Sequence, residues 1–341
     1  MYPDSKTMNF KTITGHRHQL AHLDHMLETG MIPQAMLFTG MQGIGKAKIA
    51  LHFFSALFCT GADKPCFACK NCIQTAKKTF PDLIELYPDE KGRIPLGSPD
   101  KKEPGSIRWL IERLSKKSVS GATGVIIDGA DTISIEGQNA LLKSIEEPQE
   151  ETHIILIAAN RSRLLPTIMS RCMVIPFNPL STDDVLRTIS ENGTARTDLA
   201  LIAAIAGGSL ETAGVLMNRE IMDKMIDLCG HISAYLNKMT PLSADPGAVI
   251  KEISADTFLT VMINIYRLIL MKSIGRDADV VLPGELAVTD GDKVHKFIKI
   301  LLALRKGLSN NLNIKISIKG MLYALERMDE NARPEIPSIL Y

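Results

Sequence analysis

The sequence lacks any apolar run long enough to cross a membrane. Its longest uninterrupted apolar stretches, such as 154–159, fall far short of the roughly 18 to 20 residues that a membrane-spanning helix needs. The N-terminal stretch MYPDSKTMNF also lacks the basic and then apolar pattern of a secretory signal peptide. We therefore expect a cytoplasmic protein that makes no contact with a membrane.

The chain also lacks an excess of charge of either sign. Its 39 basic and 38 acidic side chains leave a net charge of +1. No field of the whole chain then attracts nucleic acid, although a local basic patch could still do so. With 341 residues, 45% of them hydrophobic, the chain is long enough for more than one core, so we expect more than one domain.

Cysteine is scarce outside one short segment. Four of the six cysteines are Cys59, Cys66, Cys69 and Cys72. In a chain without a secretion signal, such clustering indicates a metal site before disulfides. The two-residue spacings let neighbouring thiolates converge on one tetrahedral ion, which predicts structural Zn²⁺. Free buried thiols or disulfides are the alternatives.

The segment TGMQGIGKAKIA, 39–50, is a phosphate-binding loop that lacks its hydroxyl. Gly40, Gly43, Gly45 and Lys46 are the residues that would surround nucleotide phosphates. The strand-like AMLFTG precedes them and the amphipathic KAKIALHFFSALF follows, as the motif requires. Ala47, however, replaces the serine or threonine that binds Mg²⁺. We expect that ATP with Mg²⁺ could still bind, while hydrolysis is in doubt.

A second nucleotide motif, GVIIDGAD, is also incomplete. Asp128 stands at the end of an apolar strand, where an aspartate would handle Mg²⁺, but Gly129 takes the place of the glutamate that orients water. Asp131 follows three residues after Asp128. The alternative is that Asp128 only ends a buried strand and caps the next turn.

The order of apolar runs predicts a parallel α/β sheet. Between 36 and 177, five strand-like runs (AMLFTG, DLIELYP, GVIIDGA, THIILIAAN and CMVIPF) alternate mostly with helical patterns. The β signal ends after 178, and several capping residues follow, so we place a domain boundary there. From 181 to about 238 the pattern predicts three helices, broken at Gly193 and at Gly207-Gly208.

The rest of the chain reads as helical after a linker at 240–248. Apolar residues recur at helical spacing at Val294, Phe297, Leu301, Leu304 and Leu308, and again at Ile314, Ile318, Met321 and Leu325. Such stripes form the core of an ordinary bundle or the contact surface of an oligomer.

Two further groups, an arginine and a pair of glutamates, have both a chemical and a plain interpretation. Arg171, in MSRC, is either a surface ion pair or an arginine finger, a guanidinium delivered to the γ-phosphate of a neighbouring subunit. Glu146 and Glu147 are adjacent on a helix, point about 100° apart and so cannot share an acid/base site. We expect them to be solvated or interfacial.

Four of the eight histidines crowd the first helical segment. They are His16, His18, His22 and His25, and the last three share one face. No carboxylate or cysteine accompanies them at a recognised metal spacing. We therefore predict an exposed helix face rather than a metal site.

The ordered set of motifs resembles the bacterial clamp loaders of DNA polymerase III. The set runs from TGHRHQLAHL and PQAMLFTGMQGIGK through the four cysteines and FPDL to VIIDGAD, NALLKSIEEP and SRC. It covers about the first 180 residues, and NNLNIKISIKGMLYALERM is similar to the end of the family's collar. Within the family the delta-prime type is the better match, with gamma/tau as its nearest relative.

The resemblance implies an AAA+ architecture and a place in a complex. It implies a RecA-like α/β domain at 1–178 with a zinc module at 59–72, a helical lid at 179–240, and an all-α collar at 241–341. It also implies a five-subunit ring with gamma/tau and delta subunits, which uses ATP to load the sliding clamp on primed DNA. Arg171 would then serve the ATP of a neighbouring subunit.

The resemblance also bears on hydrolysis by this chain. In AGGSLETA, Glu211 stands where a motor subunit would place an arginine that senses the γ-phosphate, and an acid there would repel a triphosphate. We therefore expect no independent ATPase activity. The alternatives are a gamma/tau-like motor ATPase and a zinc-dependent nucleic-acid-binding module; the latter leaves the phosphate loop and SRC unexplained.

Overall fold

The computed structural model describes residues 13–100, 103–149, 151–191, 197–237, 252–275, 280–288 and 290–308. The chain divides into two compact units, 1–180 and 181–341. The predicted linker at 240–248, the predicted boundary near 240 and the apolar positions from 314 onward lie outside the described residues. No helix in the described ranges is long and apolar enough to span a membrane.

The first unit contains a parallel sheet of five strands in the order β2-β3-β4-β1-β5. The strands are β1 (Ala35–Thr39), β2 (Leu83–Leu86), β3 (Thr123–Asp128), β4 (Thr152–Ala158) and β5 (Met173–Pro176). The helices are α1 (Arg17–Thr29), α2 (Lys46–Leu57), α3 (Lys70–Ala76), α4 (Ile107–Leu114), α5 (Ile135–Glu146) and α6 (Pro166–Met169). This confirms the α/β fold class and all five predicted strands.

The sheet is buried on both faces because strand side chains alternate between two apolar clusters. On one face, Leu37 of β1 packs in a cluster with Leu110 of α4 and Leu141 of α5. On the other face, Met36 of β1 packs in a cluster with Phe53 of α2 and with α1. The continuous apolar runs of the sequence follow from this three-layer arrangement.

The register of the sheet places the candidate residues at two opposite edges. At the carboxyl ends of the strands, Thr39 pairs with Ala158, and Asp128 pairs with Ile157. The loop after β1 and the end of β3 therefore lie at the same edge. At the amino ends, Met36 pairs with Met173, the first residue of β5.

The second unit is helical throughout its described ranges. Its helices are α7 (Thr182–Ser190), α8 (Leu199–Ile205), α9 (Leu210–Leu216), α10 (Arg219–Leu236), α11 (Ala255–Ser273) and α12 (Gly291–Leu308). Four helices lie between 181 and 237, so the prediction of three was wrong. Asn218 starts the additional one, since its side chain accepts a hydrogen bond from the backbone N–H of Glu220 at 3.0 Å. Gly193 lies outside the described residues, whereas the break at Gly207-Gly208 is present.

The apolar stripe of α12 forms part of a helical core. Val294, Phe297, Leu301 and Leu304 are all buried. The Phe297 ring lies 4.7 Å from that of Tyr266 on α11, at 90° to it. These four positions therefore have the bundle-core role that was one of the two interpretations of the stripe.

Candidate nucleotide, metal and arginine sites

The phosphate loop lies where its motif requires, between β1 and the start of α2. Gly40 has φ +143°, and a Cβ atom on it would lie 2.2 Å from the carbonyl oxygen of Phe177. The Phe177 N–H in turn donates to the Thr39 carbonyl at 2.7 Å. Packing of the loop against the end of β5 therefore requires glycine at position 40, whether or not a nucleotide binds.

Lys46 contacts the loop itself. Its side chain is buried, and Nζ donates to the carbonyl oxygens of Gly40 at 2.7 Å and Met41 at 2.6 Å. The ammonium thus closes the loop across its own backbone. A phosphate group that bound here would compete with these two carbonyls for the lysine.

The end of β3 lies beside the loop but lacks the glutamate. The Gly129 N–H donates to the Ile157 carbonyl at 3.0 Å, while that of Gly40 donates to the Ala158 carbonyl at 3.3 Å. Asp128 therefore lies on the same edge as the phosphate loop. Gly129 has φ +85°, and a Cβ there would lie 2.8 Å from Cγ of Pro88. A glutamate at this position would be strained and would collide with the proline ring.

Asp131 is part of the strand-end structure. Its carboxylate accepts hydrogen bonds from the backbone N–H groups of Asn160 at 2.9 Å and Ala159 at 3.3 Å. The side-chain oxygen of Asn160 accepts hydrogen bonds from the backbone N–H of Ser162 at 3.1 Å and from the Ser162 hydroxyl at 2.7 Å. Both groups are thus engaged in holding the loop after β4.

The structure separates His16 from the other three histidines. His18, His22 and His25 are exposed on α1, as predicted. His16 is half-buried, with Nε2 at 2.9 Å from the Ile44 carbonyl of the phosphate loop and its ring 5.1 Å from that of Phe177. Sequence reasoning missed this contact, since the residues lie far apart along the chain.

The four clustered cysteines converge in space. Their sulfur atoms all lie within 4.8 Å of one another, and no other metal-type cluster occurs among the described residues. Cys59 follows α2, while Cys69 caps the start of α3. Four thiolates around one Zn²⁺ at about 2.3 Å would be separated by about 3.8 Å. The donor set therefore fits a tetrahedral ion after a small contraction.

Backbone donors surround these sulfur atoms. The N–H groups of Gly61 and Cys66 lie 3.3 Å from the Cys59 sulfur, and that of Cys69 lies 3.3 Å from the Cys66 sulfur. Such donors favour thiolates. Although desolvation raises it, hydrogen bonds from Cys72 and Thr60 lower the pKa of Cys69 to about 5.

The cluster is joined to the phosphate-loop helix. Asn71 donates to the Phe58 carbonyl at 2.9 Å, and the Cys72 sulfur lies 3.6 Å from the Ser55 carbonyl. The remaining two cysteines are separate and buried. Burial raises the pKa of Cys172 to about 12 and raises that of Cys229 as well, which makes both poor metal ligands and poor nucleophiles.

Arg171 lies at the opposite edge of the sheet from the chain's own phosphate loop. It lies two residues before the start of β5, whereas Gly40 follows the other end of the neighbouring β1. The length of β1 alone separates these edges by about 13 Å at roughly 3.3 Å per residue. The structure therefore does not bring Arg171 together with Lys46 and Asp128.

Within this chain, Arg171 is paired with Glu146. Its Nε lies 2.6 Å from Glu146 Oε1, and each side chain is 40% exposed. The two residues border a shallow cavity of about 370 Å³, whose lining includes Pro33, Ile145 and Met173. Glu147 is exposed and lies just before Pro148, where α5 has ended.

Glu211 lies in the first turn of α9, two residues after its capping residue, Ser209. Ser209 accepts the N–H of Thr212 at 3.2 Å, and Glu211 is exposed. An acidic side chain is favourable at this end of a helix. Its predicted effect on a triphosphate stays a prediction.

Comparisons with known proteins show what the first unit is similar to. Residues 15–181 match the family described as "DNA polymerase III, delta subunit". The chain is 32% identical over 203 residues to DNA polymerase III subunit delta' of Bacillus subtilis, covering 59% of each chain. It is also 32% identical over 225 residues to subunit tau of Escherichia coli, covering 63% of this chain and 33% of that protein.

A solved structure is similar to a larger part of the chain. A gamma subunit-related protein of DNA polymerase III from Thermotoga maritima matches with a TM-score of 0.44 and 16% identity, covering 89% of this chain and 98% of that one. The match to the Bacillus subtilis protein spans about three fifths of that relative's length. Residues 15–181 are therefore similar to subunits of DNA polymerase III, those named delta' and tau among them.

Proposed function

We propose that this protein is a delta-prime-type subunit of a clamp-loader ring and that it supplies Arg171 to the ATP of a neighbouring subunit. In this proposal the ring contains gamma/tau and delta subunits and loads the sliding clamp on primed DNA. Residues 179–240 form its lid, and residues 241–341 form its collar.

The observation that carries the proposal is the placement of Arg171. The side chain is 40% exposed at the sheet edge opposite its own phosphate loop. An arginine at this end of the strands does not reach a nucleotide bound by the same chain, but it is available to a nucleotide bound by an adjacent chain. A guanidinium in that position offsets the charge that develops on the transferred phosphoryl group.

Reconstitution tests the role of Arg171. The ring is assembled so that only the motor subunit adjacent to this chain keeps a functional phosphate loop. Arg171→Ala should lower its kcat for ATP by about 100-fold or more, since arginine fingers contribute at least that much. Arg171→Lys keeps the charge but loses the planar fork, and should recover little activity. Unchanged turnover and clamp loading with Arg171→Ala would refute the role.

We propose further that the chain does not hydrolyse ATP alone, although its loop could hold the nucleotide. Ala47 and Gly129 remove an Mg²⁺ ligand and the glutamate that orients water. The tau relative and the retained Gly45-Lys46 pair favour the alternative, a gamma/tau-like motor. ATP turnover by the purified chain, abolished by Lys46→Ala, would establish that alternative instead.

We propose Zn²⁺ as the ion of the four-cysteine site. Four sulfur ligands leave no open position, so the ion is structural: it fixes the segment between α2 and α3 and supplies no chemistry. Metal analysis should find about one zinc per chain, and Cys66→Ser with Cys69→Ser should remove it. A preparation with full secondary structure and no bound metal would contradict this assignment.

A further inference from the structure

The guanidinium of Arg171 is held through two of its three nitrogen atoms. Nε contacts Glu146 Oε1 at 2.6 Å. Nη1 donates to the Thr167 carbonyl at 3.0 Å and to Ser170 Oγ at 3.3 Å. Among the described residues, no group accepts from Nη2. One edge of the planar group is therefore fixed, and its remaining terminal nitrogen is left for an acceptor outside the chain.

Glu146 differs from the other two contacts because it comes from another element. Thr167 and Ser170 belong to the turn directly before Arg171, so they move with it. Glu146 is the last residue of α5, which is anchored by the buried side chains of Leu141 and Ile145. This contact therefore fixes the position of the guanidinium relative to the core of the sheet.

We propose that Glu146 is a positioning residue for Arg171. By holding Nε, it keeps the side chain extended along one direction and presents Nη2 to the phosphate of the neighbouring subunit. Arginine has a flexible stem whose freedom must otherwise be lost when the phosphate is engaged. This inference rests on the proposed function of Arg171 as a finger.

The geometry argues against capture of the arginine as an inhibitory contact. A carboxylate that captured the guanidinium would form a bidentate pair, either through both terminal nitrogens or through Nε and one terminal nitrogen. Here the contact of Glu146 is with Nε alone, the nitrogen nearest the backbone. A half-exposed pair also contributes little to folding, so variants at Glu146 should remain folded.

The test uses the same ring, in which only the adjacent motor subunit is active. Glu146→Ala should lower the kcat of that subunit by about 10-fold, as expected for a misplaced catalytic group, with the KM for ATP unchanged. Glu146→Gln keeps an acceptor oxygen at the same reach and should recover to within about 3-fold of the native rate. The matched control is Glu147→Ala, the exposed next residue, which should have no effect. Thermal unfolding of each variant checks its fold.

A double substitution separates this inference from the proposed function. If Glu146 acts only through Arg171, the Glu146→Ala/Arg171→Ala ring should be as slow as the Arg171→Ala ring. Multiplicative losses would overturn the inference, as would a native rate, or a faster one, with Glu146→Ala. If Arg171→Ala itself has no effect on the rate, the result refutes the proposed function of Arg171, and with it the role of Glu146.

Discussion

Gly40 is the position of the phosphate loop where the structure least tolerates a side chain. An alanine there would adopt a positive φ, and its methyl group would lie 2.2 Å from the Phe177 carbonyl oxygen. At φ +143° an alanine lies outside the ordinary left-handed region, and this conformation costs about 1 to 3 kcal/mol. Relief of the collision must move the end of β5, which threatens the hydrogen bond from Phe177 to Thr39 and adds about 1 to 3 kcal/mol. We expect Gly40→Ala to destabilise the first unit by about 2 to 6 kcal/mol.

Gly30→Ala is the matched control for this prediction. Gly30 also has a positive φ, of +70°, but a Cβ atom there meets no atom within 4 Å. Its substitution should therefore cost only the conformational part, about 1 to 2 kcal/mol. The comparison separates the ordinary cost of a left-handed residue from the added cost at Gly40, where the collision with Phe177 and a φ of +143° act together.

Urea unfolding followed by tryptophan fluorescence measures both variants. Trp109 is the only tryptophan of the sequence, and it packs against the core of the first unit. With an m-value of about 2 kcal/mol per M, Gly40→Ala should lower the midpoint by roughly 1 to 3 M and Gly30→Ala by about 1 M or less. Equal midpoints for the two variants would refute the reasoning. They would show that the loop yields to the methyl group without disturbing β5.

Three other predictions concern single side chains. Asp82 is buried and accepts hydrogen bonds from Val119 N and from both donors of Ser120. Asp82→Ala should cost about 2 to 3 kcal/mol in urea unfolding, and a loss below 0.5 would show that water replaces the carboxylate. Ala47→Ser should tighten Mg²⁺-dependent ATP binding in a titration without producing turnover, because the glutamate is still missing; measurable hydrolysis would contradict this. Burial holds the Cys172 thiol protonated up to a pKa of about 12. Since the unfolded thiol ionises near 9, stability should fall between pH 9 and 12, and less in Cys172→Ala.

Much of the first unit was predictable because its signals are local. A strand buried on both faces needs a continuous apolar run, and five such runs identified all five strands. The convergence of the four cysteines followed from their spacing alone. Even the fourth helix of the second unit, which was not predicted, has a local signal, since Asn218 is a good capping residue and begins that helix.

The contacts that define the candidate sites could not be predicted in the same way. His16 and Ile44, like Glu146 and Arg171, meet only because the sheet brings distant elements together. The sequence indicated no partner for these side chains. Glu146 was expected to be solvated or interfacial, and its ion pair with Arg171 was not predicted. Periodicity predicts which face of an element is buried, but it does not predict which polar ends of two elements come into contact.

The two departures from an active nucleotide site differ in how firmly the fold fixes them. Ala47 lies in the first turn of α2, in a helical conformation that serine also adopts, so this loss concerns one side chain and not the backbone. Gly129 has a left-handed backbone conformation. A Cβ atom on it would lie 2.8 Å from Cγ of the Pro88 ring. A glutamate there requires a change in the turn after β3 and in the segment after β2. The absence of the water-orienting group is therefore built into the backbone, whereas Gly40 is required by Phe177 in any case. Retention of Gly40 and loss of the glutamate thus have separate structural causes, and the first is no argument for hydrolysis.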